Sequence, residues 1–226
     1  MKTEEKMAIQ MMLKPASSPV EMGQSYFWDA PQLPKDADLY PYYKNEDGDE
    51  VPMQFICQVN CAELNAALAG SKGLQSQMMA ATELPRHGML YFFGLIDYFL
   101  GYDVPYEFGT GWWGEGSVRA VYADVTPEQL QRQNPYTEDD MIPPHLITFT
   151  KTNECSDGMR LLGEPFEEEV RMEIPKGWRL LLQVDSDENE YFSLMFHDMG
   201  LLYVLIEEDR LLRGDFSNLR AYMTSQ

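Results

Sequence analysis

Phe55-Ile56-Cys57-Gln58-Val59-Asn60 and Leu180-Leu181-Leu182-Gln183-Val184-Asp185 are the two stretches on which the fold turns. Each is a short apolar run holding one glutamine and closing on Asn or Asp. Runs this short, rich in bulky residues and bounded by turn signals, read as strands rather than helices. A second pair follows in the same order, Gly88-Met89-Leu90-Tyr91-Phe92-Phe93 and Gly200-Leu201-Leu202-Tyr203-Val204-Leu205. A weaker pair precedes them, Trp28-Asp29-Ala30-Pro31 and Gly163-Glu164-Pro165. Three anchors in one order, met twice, predict an internal duplication.

The spacing from Gln58 to Gly88 exceeds that from Gln183 to Gly200, and the surplus falls in residues 62–82. That segment is rich in Ala, Leu, Met and Gln and predicts a helix interrupted at Gly70-Ser71-Lys72-Gly73. Asn60 with Glu63 forms a capping-box pattern at its start, and Asp185 with Glu188 stands at the matching place. Further strands are expected at 117–123, 145–150, 167–173, 191–196, 201–206 and 219–223, with a hairpin turn at Asp47-Gly48. Thr126-Pro127-Glu128-Gln129 marks a helix start, and residues 207–213 a short helix stopped by Gly214. Strands outnumber helices, which predicts a mainly-β or α+β fold. The form expected is an antiparallel β roll with pseudo-twofold duplication and short connecting helices. Residues 1–24 are expected as an N-terminal extension, a short helix and linker. Residues 25–226 are read as one domain, with a first copy at about 25–150 and a second at about 151–226.

Thirty-seven acidic side chains against seventeen basic ones give a net charge of −20. This disfavours nucleic acid and anionic membrane, whose phosphates need Lys and Arg to displace counterions. It suits solubility, a basic protein partner, or a carboxylate surface that mimics nucleic acid. Cys57, Cys61 and Cys155 include no CxxC pair and suit free thiols in a reducing, cytoplasmic setting. Residues 1–13 lack a basic segment followed by a continuous apolar one, so they do not read as a secretory signal.

Motif chemistry is sparse. No nucleophile elbow, phosphate loop or dinucleotide fingerprint occurs, so no catalytic residue and no cofactor is assigned. Cys57 and Cys61 have a poor zinc spacing with no neighbouring His. Asp185, Asp187 and Asn189 imitate the first ligands of a calcium loop. Glu190 stands where that loop needs glycine, and Phe196 where it needs glutamate. No metal is assigned, and the acidic run reads as a helix start.

Two groups of binding candidates remain. Gln58 and Gln183 lie in apolar strands, and a buried amide must bond either to the protein or to a ligand. Residues 97–116 hold seven aromatic side chains among glycines. Tyr102, Tyr106, Trp112 and Trp113 form either a recognition surface or a lid folded over the roll.

These residues resemble the YwqG-like family of bacterial proteins. The resemblance lies in Pro31-Gln32-Leu33-Pro34-Lys35 leading to Ile56-Cys57-Gln58-Val59-Asn60, then in the Gly88 strand and Val118-Arg119-Ala120-Val121-Tyr122. In the second half it lies in Leu181-Leu182-Gln183-Val184-Asp185-Ser186-Asp187, Gly200-Leu201-Leu202-Tyr203 and Asp215-Phe216-Ser217. It implies a compact, mainly-β roll with internal repetition and no defined activity. Some members are encoded near secreted toxins, which implies immunity or interaction roles. Trp28-Asp29 replaces a usual Gly-Gly pair, and Phe196-His197-Asp198-Met199 replaces a Trp-Gly-Asp-like stretch. A ligand served by those glycines would be lost here.

The leading expectation is a non-enzymatic binding protein meeting a protein partner through an acidic face and the aromatic loop. The alternative is a small-molecule binder or enzyme with its site between the repeats, near Gln58 and Gln183. A nucleic-acid mimic is the third.

Overall fold

A computed structural model describes residues 7–45, 47–70, 83–96, 109–135, 142–188 and 193–225. The first half carries strands β1 (Ala8–Pro15), β2 (Tyr26–Phe27), β3 (Gln32–Pro34), β4 (Tyr42–Lys44), β5 (Glu50–Pro52) and β6 (Gln54–Asn60). Helix α1 (Cys61–Ala69) leads on to β7 (Met89–Gly94), β8 (Gly111–Trp112), β9 (Val118–Ala123) and β10 (Leu130–Arg132). The second half carries β11 (His145–Thr152), β12 (Arg160–Leu162), α2 (Glu168–Glu173), β13 (Trp178–Asp185), β14 (Asp187–Glu188) and β15 (Ser193–Leu194). It ends with β16 (Leu201–Glu207), α3 (Glu208–Leu212) and β17 (Leu219–Met223).

Eleven strands form one antiparallel sheet in the order β8-β17-β16-β13-β12-β1-β11-β2-β6-β7-β9. The sheet curls into a half-barrel, bringing Tyr122 of β9 and Phe216, just before β17, to a ring separation of 6.3 Å. One apolar core runs through both copies, from Ile9 and Phe55 to Leu182 and Met223. A smaller cluster of Val170, Leu180, Leu201, Tyr203, Leu205 and Tyr222 lies in the second copy beside α2. Burial on both faces explains why β6, β7, β13 and β16 read as continuous apolar runs rather than alternating ones.

Leaving β8 aside, the strand order is the same from either end, with β1 and β11 at the centre. Register fixes the pseudo-dyad. Phe27 pairs with Cys57 on one side and His145 on the other, while Leu161 pairs with Leu182 and Ile9. His145 and Ile9 are therefore counterparts, and the axis passes through the facing pair Met12 and Thr148. The bulges repeat too, between Phe55 and Cys57 and between Leu180 and Leu182. Gly88 and Gly200 recur for one steric reason. A Cβ on them would stand 2.5 Å from the Ala123 carbonyl oxygen and 1.8 Å from that of Thr224.

The central strands are exchanged between copies. By the pseudo-dyad β1 leads the first half and its counterpart β11 leads the second, so the second copy begins at β11 rather than near residue 151. β1 pairs with β12 of the second half, and β11 with β2 of the first. The short helix expected within residues 1–24 is thus corrected to a central strand. Its inward Ile9 and Met11 alternate with the exposed Met12 and Lys14, a period of two that propensity alone hides.

Three other local expectations are corrected. Residues 167–173 form α2, not a strand, with Val170 buried inward and acids in the first turn favoured by the helix dipole. The acidic run after Gln183 is not a helix start. Asp187 and Glu188 pair with Leu194 and Ser193 in a small ribbon. Thr126 begins only a 3-10 turn, Pro127–Gln129, whose Gln129 Oε1 accepts from the Thr126 amide at 2.8 Å. The capping of α1 is shared: Asn60 Oδ1 accepts from the Ala62 and Glu63 amides. Glu63 reaches Ser25, whose hydroxyl accepts from the Asn60 amide. The expected interruption near residues 71–73 lies outside the described residues. Among the described residues, no helix is long and apolar enough to cross a membrane.

Candidate functional site

The two glutamines are fully buried and do the same work in each copy. Gln58 Oε1 accepts from the Gln32 amide at 2.9 Å, and its Nε2 donates to the Gln24 carbonyl at 2.8 Å. Gln183 Oε1 accepts from the Phe166 amide at 3.1 Å, and its Nε2 donates to the Gly158 carbonyl at 2.8 Å. A further bond from each Nε2 reaches Gln32 Oε1 or the Ser156 carbonyl. Each amide therefore ties the loop that frames its short neighbouring strand onto the long strand. They stand on β6 and β13, on opposite sides of the central pair, so the fold does not bring them together.

The turn held by each glutamine is left-handed. Trp28 and Asp29 have φ of 65° and 64°, and their counterparts Leu162 and Gly163 have 59° and 81°. Phe196, His197 and Met199 are left-handed as well. The residues that replace the usual glycines thus keep a conformation that favours glycine, at a cost of about 1–2 kcal/mol each. Asp29 is fixed by an ion pair with Arg132. Burial outweighs that pairing and raises its carboxyl above the ordinary range.

The two loop tryptophans part company. Trp113 is buried, its indole donating to the Gly109 carbonyl at 3.1 Å and its amide to the Ala221 carbonyl. Trp112 is half-buried in β8, which pairs with β17, so a loop of the first copy delivers it to the edge of the second. There it meets Tyr222 edge-on, with centroids 5.2 Å apart. The exposed Arg220 guanidinium lies 4.3 Å from the Trp112 centroid and 5.6 Å from that of Trp178, a cation–π ladder. Tyr102 and Tyr106 lie outside the described residues.

Sequence reasoning missed Arg220 and Trp178. Nothing local distinguishes them, because the ladder exists only once β8 joins β17 and β13 lies nearby. Next to it, a cleft of about 230 Å³ is walled by the Gly163-Glu164-Pro165 turn, α2 and the residues leading into β13, Trp178 among them. Arg171, Lys176 and Arg179 line it. Arg179 is paired with Glu83 at 2.6 Å. Among the described residues, no group of three or more His, Cys, Asp or Glu side chains is placed to hold a metal ion.

The profile of a family described as a domain of unknown function, DUF1963, matches residues 29–154 and 129–224. Between them these overlapping matches run from Asp29 through the last strand and include both Gln58 and Gln183. No curated protein matches the sequence.

Proposed function

Because the chain belongs to the DUF1963 family of domains of unknown function, we propose a function from its surface: a non-enzymatic protein that binds a protein partner through the Trp112–Arg220–Trp178 ladder. The observation that carries this is the ladder itself, two half-buried tryptophans flanking an exposed arginine. Trp and Arg dominate binding energy at interfaces because they bury large rigid area and keep a polar handle. The −20 charge supports a partner with a basic surface, drawn in by the long-range field. Gln58 and Gln183 enter this reading as braces that set the turns, and Trp113 as the anchor that seats the loop.

The YwqG-like resemblance supports an immunity-like or regulatory role for such a binder. Free cysteines support a cytoplasmic setting. The reading is tested by affinity capture from the native lysate with wild type, Trp112→Ala and Arg220→Ala in parallel. It expects one partner held by wild type and lost by both variants at unchanged thermal stability. Equal recovery by all three rejects it.

A further inference from the structure

The geometry points to a second site, which adjoins the ladder at Trp178: the cleft beside α2 binds a small oxyanion, a carboxylate or a phosphate. This does not rest on the partner-binding reading.

Cations gather here in a strongly acidic chain. Of the three that line the cleft, Arg179 is answered by Glu83, and Glu208 lies 3.9 Å away. Arg171 donates only through Nη1, to the Pro165 and Phe166 carbonyls at 2.6 Å each and to Cys155 Sγ at 3.5 Å. Its Nε and Nη2 make no bond to any described residue. Lys176 is exposed, with no partner among the described residues. Among the described residues that line the cleft the one acid, Glu164, is ion-paired to neither.

A buried charge stands behind the wall. Arg160 is 1% exposed and donates to the Ser156 and Glu164 carbonyls at 2.6 and 2.9 Å. Among the described residues its Nε has no partner, and no carboxylate pairs with it. A desolvated guanidinium without a counter-charge raises the local potential of the turn it supports.

The first copy's turn carries its own charge pair. Asp29, the counterpart of Gly163, places a carboxylate on the Arg132 guanidinium. The second copy has glycine at that position, where a side chain would meet Ala8 and Arg160. The cations that line its cleft, Arg171 and Lys176, have no carboxylate paired with them among the described residues. An exogenous oxyanion supplies the counter-charge these two cations lack, with Arg171 Nε and Nη2 and Lys176 Nζ as donors. The cleft is smaller than a drug-sized pocket, so the ligand is a small molecule or a single charged group. Trp178 in the wall suits an anion carried on a planar body.

The test uses the full chain at constant ionic strength maintained with chloride. Inorganic phosphate and benzoate are titrated separately by calorimetry and by tryptophan fluorescence. The proposal expects saturable binding of at least one, weakened about tenfold in Lys176→Ala, the scale of one charge-assisted bond. It expects abolition in Lys176→Glu and no change in Lys14→Ala, on the exposed side of β1. Phosphate alone assigns a phosphorylated ligand, benzoate alone a carboxylate, and both a general oxyanion site. Binding of neither, or binding unaltered in both Lys176 variants, overturns it.

Discussion

Tyr26 and Arg160 are pseudo-symmetric counterparts that close the same turn with different chemistry. Tyr26 pairs across the sheet with Gln58, and its hydroxyl donates to the Ala30 carbonyl at 2.6 Å. Arg160 pairs with Gln183, and its Nη2 donates to the Glu164 carbonyl at 2.9 Å. The duplication has kept the hydrogen bond and changed the side chain. The second copy's core therefore holds a guanidinium where the first holds a phenol, behind the turn that walls the cleft.

The glutamine braces predict matched losses of stability. In Gln58→Leu and Gln183→Leu a backbone amide and at least one carbonyl lose their side-chain partner in a buried setting. Each substitution is expected to cost at least about 2 kcal/mol in urea unfolding, from 1–3 kcal/mol per unmade buried bond. A loss below 1 kcal/mol in either would show that its loop is held by something else.

Left-handed backbone predicts a gain. Met199 has φ of 54° and is 56% exposed, so little packing is lost on removing its side chain. Met199→Gly is expected to stabilise the fold by about 0.5–1 kcal/mol, relief of strain outweighing the added chain entropy. Gly200→Ala is its converse, since the new Cβ meets the Thr224 carbonyl oxygen. Thermal unfolding of both variants reads the two signs.

A pH dependence follows from Asp185. Burial raises its carboxyl above the ordinary value of 3.8, against the bonds it accepts from the Gly158 and Ser186 amides, and Asp157 and Asp187 push it further up. The folded state therefore binds this proton more tightly than the unfolded chain. Stability from this group falls as pH rises from 3.8 to the raised value, and the penalty is complete above it. Wild type is expected to gain on Asp185→Asn as the pH falls through that window, measured by urea unfolding across a pH series. A constant difference contradicts the assignment.

Thiol chemistry separates the cysteines. Burial pushes the Cys57 thiol well up and that of Cys61 up to about 12, so neither supplies thiolate at neutral pH. Cys155 is exposed. A disulfide reagent is expected to modify Cys155 alone in the folded protein and all three cysteines in denaturant. Cys155→Ser abolishes the native reaction.

Much of this architecture is legible in the sequence because the repeated anchors are steric and hydrogen-bonding necessities. Gln58 and Gln183 recur since a turn must be tied, and Gly88 and Gly200 recur since a carbonyl oxygen crowds the Cβ position. The strand exchange was not legible, because β1 finds its partners far along the chain and its alternation over Ala8–Pro15 is brief. The binding candidates divide in the same way. Trp112 was visible as an aromatic in a glycine-rich loop, whereas Arg220, Trp178 and the cations of the cleft meet only through tertiary pairing.

The most direct test of the functional reading is quantitative capture of a partner by wild type and by Trp112→Ala at two salt concentrations. The account predicts a partner held by wild type, released as salt rises, and reduced at least about tenfold by the substitution, the cost of a hot-spot residue. A partner retained equally by Trp112→Ala, with both proteins folded, would contradict it.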